Sequence, residues 1–236
     1  MTARIERVVT SGVVDVDGVE HKVENNTWIV GDDEAVIVID PARDADKILE
    51  QVGEREIWAV ICTHGLPDHV GAAIEVAERD EAEIALHPKD KRLWRQTWAE
   101  TWPDIDMEDE GLFEVADVRL EVLATPGVTP GGVSLLCEEL GAVFTGKTLQ
   151  ADGPGKVGGE YPALADQLTS IGERLFTLPA DTRVLPAHGE ETTIGEQEPH
   201  FDAWLSGSLT GTPAESSPLA NGTGAASIKL NLDDDE

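Results

Sequence analysis

Apolar and polar positions alternate along the first part of the chain and then gather into short solid runs. Val13-Val14-Asp15-Val16-Asp17 alternates, Asp17-Gly18 signals a turn, and Thr27-Trp28-Ile29-Val30 stops at Gly31-Asp32-Asp33. Residues Ile5 to Asp40 therefore read as successive short strands, the clearest being Ala35-Val36-Ile37-Val38-Ile39-Asp40. A helix is predicted next, with Asp44 near its cap and Ile48, Leu49 and Val52 on its inner face. The run Ile57-Trp58-Ala59-Val60-Ile61-Cys62 predicts a buried strand, followed by a helix over roughly residues 68–79 with Pro67 opening its first turn. Ile84-Ala85-Leu86 reads as another strand, ended by His87-Pro88. Trp94, Trp98 and Trp102 recur at helical spacing, which predicts one face of a helix; a packing stripe is preferred over an aromatic wall above a cleft.

Beyond Gly111 the strand pattern returns in Val118–Leu123, Val133–Cys137 and Ala142–Thr145, each ending in a loop that carries Gly or Pro. A helix over about 162–177, the stretch Arg183–Gly189 and a last helix near Pro199–Leu205 follow. Two β-rich halves, each followed by helices, predict an α/β fold of two packed sheets flanked by helices. From Ser206 the residues are mainly Ser, Gly, Thr, Pro and Ala, closing on Asp233-Asp234-Asp235-Glu236. The expected division is a folded domain at 1–205 and an acidic, disordered tail at 206–236.

The charge narrows the function. Lys and Arg total 17 against 47 Asp and Glu, a formal net charge of −30. Binding nucleic acid needs a dense cationic face, and docking on anionic lipid needs basic clusters, so neither partner is expected. Such a surface suits a high-salt cytoplasm, where ions screen its self-repulsion. Cys62 and Cys137 both lie in apolar runs and read as buried thiols, which fits a reducing cytoplasm. No apolar leader or run of spanning length is present in the sequence.

The chemistry gathers in loops. Thr63-His64-Gly65-Leu66-Pro67-Asp68-His69 places two histidines and a carboxylate between a strand and a helix start, where the scaffold exposes what it holds. Thr125-Pro126-Gly127-Val128-Thr129-Pro130-Gly131, Thr145-Gly146-Lys147-Thr148-Leu149 and Pro186-Ala187-His188-Gly189 follow in order. Together with Asp40, this collinear set resembles the metallo-β-lactamase superfamily, most closely its glyoxalase II-like hydrolases, over about residues 5–205. The resemblance implies an αββα four-layer sandwich and a site for two zinc ions.

Three positions depart from that pattern: Leu66 and Val128 stand where ligand histidines belong, and Lys147 where an aspartate bridges the metals. Of the first metal's ligands only His64 is left, and zinc wants about four donors. The second keeps Asp68, His69 and His188, a set that suits one zinc or iron ion. Lys147 opposes it: a dication about 4 Å from an ammonium is repelled by roughly 8 kcal/mol at an effective dielectric near 20. That rivals the ~10–16 kcal/mol of structural zinc binding. A metal-free pocket, with Lys147 paired to Asp68 in place of the ion, is an equal expectation.

Three functions remain open. One is thioester or ester hydrolysis at a single metal, with Lys147 meeting an anionic small-molecule substrate. Another is metal-free chemistry by Lys147 as base or Schiff-base nucleophile beside His64 and Asp68. The third is a binding module for an acidic ligand. His87 is a weaker cleft candidate, and a structural role is preferred for it. His21 and His200 read as surface or capping residues, and Gly153–Gly159, which lacks a phosphate-loop context, reads as a mobile loop over the cleft.

Overall fold

The computed structural model describes residues 2–16, 19–156 and 163–207. The expected tail beyond 207 lies outside the described residues, as do Val157–Gly159 of the glycine-rich loop and the side chain of His21. The first sheet takes its strands in sequence order: β1 (Arg4–Val16), β2 (Val19–Gly31), β3 (Ala35–Ile39), β4 (Glu56–Ile61), β5 (Glu83–Leu86) and β6 (Ile105–Asp106). The hairpin pairs antiparallel, and β3 to β6 run parallel because helices carry the chain back across one face. Those helices are α1 (Ala45–Val52), α2 (Pro67–Val70), α3 (Ala73–Glu78) and α4 (Lys91–Thr97).

The second sheet begins with β7 (Leu112–Val115), β8 (Val118–Ala124), β9 (Val133–Cys137) and β10 (Ala142–Gly146), all antiparallel. A two-stranded sheet of β11 (Leu149–Gln150) and β12 (Gly153–Pro154) follows, then α5 (Leu164–Ser170), continued by a π-helical turn over Ile171–Leu175. β13 (Arg183–Pro186) pairs parallel with β10, and β14 (Thr192–Thr193) closes the edge before α6 (Ile194–Gln197) and α7 (Phe201–Leu205).

The alternation read from the sequence sorts into layers. Trp28, Ile37, Ile39 and Ile61 of the first sheet meet Leu120, Val122, Leu135 and Phe144 of the second, with Trp28 and Phe144 edge-on at 6.0 Å. Behind the first sheet, Val36, Val38 and Val60 bury Ile48, Val52, Val76 and Trp94. Behind the second, Val143 and Val184 bury Ile171 and Leu175. This is the four-layer αββα sandwich, and its central strands read as solid apolar runs because both faces are covered. Cys62 and Cys137 are buried free thiols, and burial pushes the Cys62 thiol well above its usual range. Among the described residues no helix is long and apolar enough to cross a membrane.

Local differences from the sequence reading have identifiable causes. The helix expected over 68–79 breaks at Gly71-Ala72, where the chain packs so tightly on Pro41-Ala42 that a Cβ on Gly71 would lie 2.4 Å from the Ala42 carbonyl. The tryptophan helix ends at Thr97. Trp94 packs in the core and the partly buried Trp98 against it, but Trp102 falls beyond the helix, half exposed beneath the Arg95 guanidinium. Gly153-Pro154 is paired to Leu149-Gln150, so that part of the expected mobile loop is strand.

Candidate active site

The loops leaving β3, β4, β10 and β13, and the β8–β9 connection, bring the chemistry to one edge of the sandwich. Asp40 leaves β3 with φ 51°, buried, and accepts from the Thr63 backbone N–H and hydroxyl at 2.7 Å each. A carboxylate only accepts, so the single Thr63 hydroxyl proton is committed to Asp40. Thr63 Oγ1 then accepts from His64 Nδ1 at 2.8 Å, which leaves His64 Nε2 as a buried lone pair without a hydrogen-bond partner. Burial, followed by the neighbouring His69, holds the His64 imidazole well below its usual range, so it is neutral at pH 7.

The other two imidazoles are oriented in the same sense. His69 Nδ1 lies 2.9 Å from Asp40 Oδ2, off the line of a straight hydrogen bond. His188 Nδ1 lies 3.1 Å from the Glu24 carbonyl, which can only accept. Each ring thus turns Nδ1 outward to a fixed oxygen and Nε2 inward, the arrangement in which outer partners set a ligand's tautomer. The rings of His64 and His69 are 3.6 Å apart, those of His69 and His188 5.5 Å.

Asp68 Oδ2 is the focus. It lies 3.3 Å from His188 Nε2, 3.4 Å from Lys147 Nζ and 3.9 Å from His69 Nε2. Burial opposes ionisation of Asp68 more than any other single influence, yet Lys147, His69 and His188 together outweigh it and hold the carboxyl well below its usual range. Lys147 reaches this point because Gly146, at φ 53°, lets β10 press on the β4 loop. A Cβ there would lie 2.3 Å from Thr63 Oγ1.

The residues singled out from the sequence therefore separate into two groups. Asp68, His69, His188, Lys147 and His64 share one pocket. His87 caps a 3-10 turn at the end of β5, its Nδ1 accepting from the Lys89 N–H at 3.2 Å, and its charged neighbours are Lys89, Asp90, Asp106 and Asp109. His200 lies against Trp204 near the C-terminal helices.

Several supporting residues escaped the sequence reading. Asp90 is fully buried and accepts from the Gly65 N–H (3.0 Å), the Thr129 hydroxyl (2.6 Å) and the Gly131 N–H (2.7 Å), tying the His64 loop to the Val128 loop. Asn25 donates to the Asp68 carbonyl at 2.8 Å, and Asn26 donates to the Pro186 and Gly189 carbonyls at 2.9 Å each. Gln167 donates to the Thr148 and Gly155 carbonyls at 2.9 and 2.8 Å, tying together the turn that follows Lys147. An Asn-Asn pair inside an apolar strand was a signal for the second of these; nothing in the spacing marks Asp90 or Gln167.

Comparison with known proteins agrees with this architecture. The Metallo-beta-lactamase superfamily model matches residues 22–188. A probable metallo-hydrolase, YqgX of Bacillus subtilis, is 31% identical over 189 residues, 73% of this chain and 88% of its own. The hydroxyacylglutathione hydrolase GloC of Haemophilus influenzae is 30% identical over 194 residues, covering 74% and 90%. Among solved structures, TTHA1623 in a di-iron-bound form superposes with a TM-score of 0.63 at 30% identity, over 74% of this chain and 92% of that one. The chain belongs to the metallo-β-lactamase superfamily.

Members of this superfamily typically bind zinc or iron, and the donors here fit one ion. Asp68, His69 and His188 offer ligand atoms within 4.8 Å of one another, with the Nε2 atoms of His69 and His188 at 3.9 and 3.3 Å from Asp68 Oδ2. Among the described residues this is the donor group of three or more that could hold a metal, and His64, whose Nε2 has no hydrogen-bond partner, is not part of it.

Proposed function

We propose that this chain is a small-molecule hydrolase whose two-metal centre has been reduced to a single cation seat. It cleaves a thioester or ester with at most one zinc or iron ion, held by Asp68, His69 and His188. The observation that carries this reading is the convergence of the His69 and His188 Nε2 atoms on the Asp68 carboxylate. Ligand atoms gathered in this way around a carboxylate call for a positive charge at their centre.

A metal bound there supplies a Lewis acid and a water of lowered pKa. The chain's own groups do the rest. Glu24 and Asp40 hold the His188 and His69 rings in place. Lys147 meets an anionic end of the substrate or the oxyanion of its tetrahedral intermediate. His64 Nε2 accepts a hydrogen bond from a substrate donor or from the attacking water. GloC, a hydroxyacylglutathione hydrolase, supports an acyl-transfer substrate by kinship. The working unit is residues 1–205, with 206–236 an acidic tail, in a reducing cytoplasm and without nucleic-acid or membrane partners.

The Lys147–Asp68 pair at 3.4 Å favours a second reading, in which the pocket works without metal. Lys147, deprotonated, then serves as base or condenses with a substrate carbonyl to an imine with loss of water. Turnover of acyl thioesters separates the two. Hydrolysis abolished by a chelator and restored by zinc or ferrous iron supports the first. Borohydride trapping of a carbonyl ligand on Lys147, with turnover indifferent to chelator, supports the second. Tight binding of an acidic ligand without turnover overturns both in favour of a binding module.

A further inference from the structure

One oxygen, Asp68 Oδ2, is within 3.9 Å of three nitrogens, and one of those is the Lys147 ammonium. The two imidazole nitrogens are the donors a metal would use, and the same carboxylate would be its third ligand. A monocation and a dication cannot both hold this oxygen, because the repulsion between them at such a distance rivals the binding itself.

The backbone of Lys147 is not free to resolve the conflict. Gly155 lies so close that a Cβ on it would stand 1.8 Å from the Lys147 carbonyl oxygen and 3.0 Å from Lys147 Cγ. Gln167, fully buried, donates to the carbonyls of both Thr148, the next residue, and Gly155. Only the end of the Lys147 side chain can leave Asp68. In a chain with 17 cationic side chains against 47 carboxylates, a partly exposed ammonium in the pocket is a scarce partner for an incoming anion.

We propose that Lys147 is a tethered competitor of the divalent metal for Asp68, and that a small carboxylate ligand loads the metal by drawing the ammonium away. This rests on the single-metal reading above and deepens it: carboxylate-bearing substrates assemble the centre that acts on them. The coupling is reciprocal, since a ligand that raises metal affinity must be bound more tightly by the metal-loaded chain, by the same factor.

The test is calorimetric titration of Zn²⁺ into the full chain at constant ionic strength, with and without propionate. Saturating propionate is expected to tighten Zn²⁺ binding by about 10-fold, inside the range usual for coupled sites. Lys147→Met is expected to bind Zn²⁺ at least about 10-fold more tightly without propionate, and to ignore propionate, because the repelling charge is gone. Lys147→Arg, which keeps the charge, is expected to stay weak. If Lys147→Met does not fold, Lys147→Gln carries the same expectation.

Propionate without effect on the wild-type chain overturns the inference. So does an equal response in Lys147→Met, which would place the carboxylate on the metal itself. Zn²⁺ binding no tighter in the charge-free variants also overturns it, as does binding by those variants alone with no response of the wild-type chain to propionate. A chain that hydrolyses thioesters but shows no coupling loses this inference and keeps the proposed function. Coupling without turnover of any thioester does the opposite.

Discussion

The two halves of the pocket rest on the same scaffold and carry different donor sets. In one half, Asp68, His69 and His188 retain their donor atoms and the outward oxygens that orient them. In the other, His64 remains with its orienting partner Thr63, while its fellow positions carry Leu66, Val128 and Lys147. The support of the second half is as complete as that of the first. Asp90 still binds Gly65 to Thr129 and Gly131, and Asp40 still fixes Thr63. The difference teaches that donors and their supports are separable: the buried hydrogen bonds that shape a site also hold the fold together, whatever donors the site carries.

The largest effect that would break this comparison lies in the support. Asp90→Ala strands two backbone N–H groups and a hydroxyl in a buried place, and should cost about 3 kcal/mol or more in denaturant unfolding, metal or no metal. A loss below about 1 kcal/mol would mean that these hydrogen bonds do not hold the second half together. Next is Lys147→Met, which leaves Asp68 facing two imidazoles without its cation. With both partners mostly but not fully buried, a loss of about 1–2 kcal/mol is expected in metal-free buffer, recovered on adding Zn²⁺. Gln167→Met, which removes both clamps beside Lys147, should lower stability by about 1–2 kcal/mol. Retaining Gln167 hydrogen bonding in Gln167→Asn is not expected to rescue it, because the shorter side chain misses both carbonyls.

His87, which caps the turn after β5, is expected to give the smallest effect. Burial, then the charge of Lys89, holds its imidazole below the usual value of 6.5. The unfolded chain therefore takes up a proton at this residue before the folded one does. Its contribution to stability is complete above pH 6.5 and is lost as the pH falls through the folded value. His87→Asn should flatten the stability–pH curve just below pH 6.5 and leave metal affinity unchanged. A change in metal affinity instead would join His87 to the pocket.

The layered fold was legible in the sequence because two-sided burial turns central strands into solid apolar runs such as Ala35–Ile39 and Val133–Cys137. The pocket was legible because the loops carrying Asp68, His69, Lys147 and His188 keep their turn residues and their order. What stayed hidden is what depends on three-dimensional closure. Asp90 looks like any acid at a helix start, and only the approach of the Val128 loop makes it a buried tie. The Trp94-Trp98-Trp102 spacing predicted one helical face, but the chain leaves the helix after Thr97, so tertiary packing cut the period short. Gly71 ends its helix through contact with Ala42, a neighbour that spacing along the chain does not reveal.

Metal stoichiometry tests the central claim most directly. Protein purified without added metal is loaded with excess Zn²⁺, desalted and analysed for zinc, alongside Lys147→Asp. An ammonium in the bridging position predicts no more than one zinc per wild-type chain, weakly held, and firmer retention of one ion in Lys147→Asp, where a fourth donor replaces the repelling charge. Two tightly held ions per wild-type chain would contradict it.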